Sequence, residues 1–104
     1  MVELCTDGSR PHDSHEIGGG GVLRDRDGRW LTGFAAFWGV GDVLMSELRA
    51  LHEGLKLVWD LGYRRVVCRS DCMELVGLVT GVQEVDQYWQ RDLIQQVREL
   101  IRGN

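Results

Sequence analysis

Apolar and polar positions along the chain change period several times, and each change marks an element. Val2 to Thr6 reads as a short strand, followed by the polar, turn-prone stretch DGSRPHDSHE. Ile17 to Arg24 opens with four glycines and continues as VLR. RDRDGR then supplies Asp27-Gly28, a strong hairpin dipeptide, and WLTGFAAFWG returns as a third strand. From Val43 the period lengthens: Leu44, Leu48, Leu51, Leu55 and Val58 recur at the spacing of one helix face. Gly62 is placed to stop that helix. RRVVCRS is short, β-branched and bounded, so it reads as a fourth strand. Asp71 stands where an N-cap belongs, before CMELVGLV. A last helix is expected from about Asp86 to Arg102, with Trp89, Leu93, Val97, Leu100 and Ile101 on one side.

The resulting order is β-β-β-α-β-α-α. The first three strands are expected to be antiparallel. A strand that follows a crossover helix normally lies parallel to its partner. The fourth should therefore sit beside the first and point the same way. This brings Asp7 and Asp71, both placed at carboxyl ends of strands, to neighbouring positions. Taken alone, Asp7 before Gly8 reads as a turn residue bonding its own backbone.

Glu47 is expected in the first turn of the long helix, on the side shared with Leu51, Gly54 and Val58, which faces the sheet. On the helix alone it reads as an acid favoured by the helix dipole. With Asp7 and Asp71 beside it, the reading turns to a ligand aimed inward. Three anions gathered over one sheet repel, and protons or cations must relieve them. All-oxygen ligands select hard cations, Mg²⁺ or Mn²⁺. Two ions roughly 3.5–4 Å apart would activate water on one side of a phosphodiester and stabilise the departing oxygen on the other. Nothing near these acids has the Ser-His or Cys-His pattern of covalent catalysis.

Composition narrows the class. The 104 residues suit one domain spanning 1–104, with 43% hydrophobic and 27% charged residues and a single Pro. The absence of a membrane-length apolar run or a leader-like N-terminus leads us to expect a cytoplasmic or nuclear setting. Three cysteines without framework spacing (Cys5, Cys68, Cys72) read as reduced thiols, and Cys68 with Cys72 makes a weak zinc signal. His12 and His15 read as solvated loop residues. The net charge of −4 argues against a broad basic grip on nucleic acid, yet 11 of the 12 basic residues are Arg, which suits local bidentate phosphate contacts. The glycine run lacks the pattern and the following helix of a phosphate loop, and reads instead as a strand whose backbone something approaches closely. Trp30, Phe34, Phe37 and Trp38 read as core or helix-packing residues rather than a base-stacking platform. Trp59 and Trp89 likewise read as packing residues.

The ordered pieces TDGS, GGGGVLRDRDGRWLTGF, SELRALHEGLKLVWDLGYRRVVCRSD and LIQQVRELI resemble the ribonuclease H family, in particular the ribonuclease H-like domains common in plants and retroelement-derived reading frames. The resemblance implies an α/β fold whose mixed sheet has three antiparallel strands and then a parallel one, with helices packed on it. It implies metal-dependent endonuclease cleavage of the RNA strand in an RNA–DNA hybrid. Asp7, Glu47 and Asp71 match three of the family's four acids, which hold two Mg²⁺ or Mn²⁺ ions. Gly8 and Ser9 match positions that approach the nucleic-acid backbone. Arg10 beside them is a candidate phosphate contact, with a solvated loop position as the alternative. The family's fifth strand, fourth acid and final helix are expected to be missing, and so is a basic protrusion.

Two expectations follow from that departure. Metal affinity and turnover should fall well below those of a full-length relative. The fourth strand should become a sheet edge open to pairing with another copy, partly guarded by Arg64, Arg65 and Arg69. The competing classes are a non-catalytic or vestigial nucleic-acid-binding domain of the same fold, and an unrelated α/β interaction module whose acids serve only turns and caps.

Overall fold

The computed structural model describes residues 1–81 and 84–103. Strands β1 (Val2–Ser9), β2 (Glu16–Asp25) and β3 (Trp30–Val40) form an antiparallel meander. Helix α1 (Val43–Asp60) crosses over to β4 (Val66–Arg69), and α2 (Met73–Val79) and α3 (Arg91–Ile101) follow. The sheet order is β3-β2-β1-β4, with β4 parallel to β1 as the crossover rule requires. The expected fold class is therefore the observed one. Among the described residues, no helix is long and apolar enough to cross a membrane.

Local chemistry explains where elements start and stop. At the β2–β3 turn, Asp25 Oδ1 accepts the backbone N–H of Asp27 and of Arg29, both at 2.9 Å, and Gly28 adopts φ +84°. Asp42 caps α1 by accepting the Met45 N–H at 2.7 Å. The helix ends in a Schellman motif: Tyr63 N–H reaches Val58 O (3.2 Å), Gly62 N–H reaches Trp59 O (3.0 Å), and Gly62 has φ +91°. Gly62 thus stops the helix as expected.

The core lies on one face of the sheet. Leu44, Leu48, Leu51, Leu55 and Val58 of α1 pack with Val2, Leu4 and Leu23, and α2 and α3 add Leu75, Leu78, Ile94 and Val97. Two glycines let α1 lie close on β1. A Cβ at Gly54 would come within 2.9 Å of Leu4, and one at Gly8 would come within 2.5 Å of Ser46 and Glu47 backbone atoms. Trp59 Nε1 donates to Leu100 O at 3.0 Å, joining α1 to α3.

The glycine run does admit a close neighbour, and that neighbour is β3. Phe34 lies over Gly21 and Trp38 over Gly19 on the helix side, while Phe37 lies over Gly18 on the other side. These contacts overturn most of the core assignment for the aromatics. Phe34 and Trp38 are half-buried, whereas Trp30 and Phe37 are 66% and 92% exposed. The helices cover one face only, and Trp30 and Phe37 project from the other. Trp59 packs as expected, but Trp89 is 64% exposed.

Four other expectations are corrected. β1 runs past Thr6 to Ser9, so Asp7 is a strand residue paired with Gly20 rather than a strand end or a turn. Glu47 is the fifth residue of α1, beyond the first turn, because the cap at Asp42 fixes the start. The residue capping α2 is Cys72, not Asp71, and Ser70 Oγ accepts the Cys72 N–H at 3.1 Å. Helix α3 starts at Arg91 rather than Asp86. Before it, the chain turns at Tyr88 N–H to Val85 O (2.9 Å), and Trp89 and Gln90 reach across to Asp42. Consequently Ile94 and Val97 form the buried stripe of α3, and Ile101 is 44% exposed.

Candidate active site

The register of the two parallel strands builds the site. β4 pairs with β1 from Val2↔Val66 to Cys5↔Arg69, and Asp7 and Asp71 each follow the last pair by two residues in the chain. Glu47 arrives from α1 because the missing side chain at Gly8 lets the helix backbone at Ser46 and Glu47 touch the strand. One carboxylate oxygen from each of Asp7, Glu47 and Asp71 comes within 4.8 Å of the others. Asp7 and Asp71 are exposed, whereas Glu47 is only 5% exposed. A cavity of about 390 Å³ lined by Cys5, Thr6, Asp7, Arg69, Ser70 and Asp71 opens beside them.

Burial is the main reason that the Glu47 carboxyl is raised from 4.5 to about 7. A hydrogen bond and charge repulsion from Asp7, and the Asp71 charge, push the same way, while the Gly8 backbone N–H pulls against them. Glu47 Oε2 is buried without a hydrogen-bond partner among the described residues. A buried, unpartnered carboxylate oxygen facing two further carboxylates fits a hard divalent cation. No other group of three or more His, Cys, Asp and Glu residues among the described residues has metal-binding proximity.

The remaining site candidates separate. Gly8 is pressed against α1, and Ser9 is exposed at the end of β1. Arg10 turns into its own loop: Nε donates to Ser14 O at 3.1 Å, and Nη2 lies 2.8 Å from His15 Nδ1. Sequence reasoning missed Asp42, whose carboxylate accepts from Met45 N–H, Trp89 Nε1 and Gln90 Nε2. The signal was present, since an Asp directly before an apolar-periodic segment is a helix start.

A crossover-linked mixed sheet with one acid on β1, one just past the parallel β4 and one on the helix between them defines a ribonuclease H-like domain. Residues 5–103 match the family described as reverse transcriptase-like, and the chain belongs to that family. An Arabidopsis thaliana protein carrying a ribonuclease H name, At1g65750, is 33% identical over 84 residues, which are 80% of this chain and 14% of that protein. The chain thus spans about a seventh of the length of that curated relative. Ribonuclease H1 from the halophilic archaeon Halobacterium salinarum NRC-1 superposes with a TM-score of 0.90 at 24% identity, covering 98% of this chain and 77% of that one. LC11-RNase H1, solved in complex with an RNA/DNA hybrid, gives 0.88 at 20% identity, covering 100% of this chain and 78% of that one.

Proposed function

We propose that this domain hydrolyses the RNA strand of RNA–DNA hybrids, with Asp7, Glu47 and Asp71 holding Mg²⁺ or Mn²⁺, two ions in the working state. The observation that carries the reading is the convergence of three carboxylates from β1, α1 and the segment just past β4, one of them buried and with an unpartnered oxygen. The At1g65750 relative's name and the hybrid bound to LC11-RNase H1 support it. Divalent ions held there supply Lewis acidity for phosphodiester hydrolysis. The chain's own residues orient that chemistry. Gly8 sets the depth of Glu47, and the strand register sets the separation of Asp7 from Asp71. Gly8, Ser9 and Arg10 are proposed to face the nucleic acid beside Asp7.

A hybrid-binding domain without turnover is the second reading. Both readings rest on the same three-carboxylate cluster and differ only in turnover. The test is cleavage of an end-labelled hybrid in Mg²⁺ and in Mn²⁺, with Asp7→Asn as control. Metal-dependent cutting of the RNA strand that Asp7→Asn abolishes supports hydrolysis. Binding without cutting selects the second reading, and neither binding nor cutting sinks both. The edge strand β4 is further proposed as a surface for self-association.

A further inference from the structure

The uncovered face of the sheet carries a charge arrangement that the three acids do not explain. Side chains two apart on a strand share a face. Arg69 is the last residue of β4, two before Asp71 in the chain. It is paired with Cys5, which stands two residues before Asp7 on β1. Arg69 lines the cavity that Asp7 and Asp71 also line. Its guanidinium is held at one corner only, where Nε donates to Glu3 Oε2. The other Glu3 oxygen accepts from Cys5 Sγ at 3.4 Å, so Glu3 is itself fixed. Nη1 and Nη2 of Arg69 have no partner among the described residues, and the side chain is 65% exposed. Arg24 pairs with Glu3 from the β2 side. The row Arg24–Glu3–Arg69 is thus positive by one charge on a chain whose net charge is −4.

A guanidinium anchored through Nε keeps its Nη groups free for a phosphate. We propose that Arg69 is a substrate-binding residue whose Nη groups hold a phosphate of the nucleic-acid strand, next to the phosphodiester at Asp7 and Asp71. Glu3 is a positioning residue that acts through Arg69. This rests on the reading of the domain as one that engages RNA–DNA hybrid. A plain surface ion pair between Glu3 and Arg69 would leave hybrid binding unmoved, so the two roles separate experimentally.

The experiment measures fluorescence anisotropy of a labelled RNA–DNA hybrid in Ca²⁺ across about 50 to 200 mM salt, with a gel showing the recovered hybrid uncut. Arg69→Ala is expected to weaken binding about tenfold and to reduce the salt slope by about one. Arg69→Lys keeps the charge, so it retains the slope while binding more weakly than wild type. Glu3→Gln keeps an acceptor for Nε and removes the opposing charge, so it tightens binding. Thermal unfolding checks that each variant is folded. Wild-type binding that Arg69→Ala leaves unchanged in affinity and slope overturns the role of Arg69 alone. Absence of hybrid binding by the wild-type chain overturns both this role and the reading beneath it.

Discussion

The two faces of the sheet follow the same backbone rules and meet different surroundings. On the helix side, Val2, Leu4 and Thr6 of β1 are 4%, 1% and 6% exposed, pressed under α1. On the other side, Glu3, Cys5 and Asp7 alternate with them, and Trp30 and Phe37 stand in the open. The site forms where the faces meet. Asp7 comes from within β1, Asp71 from just beyond β4, and Glu47 from the packed helix. One acid is thereby buried while two remain exposed. A three-acid site on either face alone would lose that division of labour.

The largest test of this contrast is a pair of truncations. Leu48→Ala on the covered face should cost about 2–5 kcal/mol of stability, while Phe37→Ala on the open face should change it by about 0.5 kcal/mol or less. Urea denaturation measures both, and equal losses would erase the distinction between the faces.

Next comes pH. Glu47 keeps its proton in the folded chain over a range where the unfolded carboxyl has already lost it, so the folded state binds more protons between 4.5 and about 7. Metal-free stability should therefore fall as pH rises through that window and level off above it. Below about 7 an incoming divalent ion must displace the proton, so Mg²⁺ affinity should drop with acidification. Denaturation in EDTA from pH 5 to 8 reads the first effect and Mg²⁺ calorimetry the second. Glu47→Gln should flatten both profiles, and a wild-type profile already flat would break the argument.

Gly8→Ala probes the seam itself. The added Cβ meets Ser46 and Glu47 backbone that cannot swing aside. A loss of about 1–3 kcal/mol is expected, with weaker Mg²⁺ binding because Glu47 is pushed back. Unchanged ion affinity would show that the close contact does not set the site. The smallest expected effect concerns the edge. Val67→Lys on β4 should leave stability within about 0.5 kcal/mol and reduce any concentration-dependent association seen by sedimentation.

The proximity of the three acids was legible because element order fixes which strands adjoin, and the crossover connection fixes their direction. Gly62 was legible too, since few residues other than glycine tolerate the backbone that ends α1. The aromatics were not legible. Alternation says that Trp38 and Phe37 face opposite ways, but not which side the helices will cover. The length of β1 was hidden for a related reason: Asp-Gly-Ser looks like a turn, and only pairing with the glycines of β2 keeps it extended. Arg69 was noticed as a guard of the strand edge, while its tether to Glu3 depends on side-chain geometry that spacing does not reveal.

Asp42 is a fastening. Its carboxylate takes the Met45 amide of α1, the Trp89 indole and the Gln90 amide, so the first turn of one helix and the approach to another share a single pin. Neither segment can slide without dragging the other. Glu47 rides little more than one turn beyond that pin, so its aim is registered to a stretch of chain more than forty residues away.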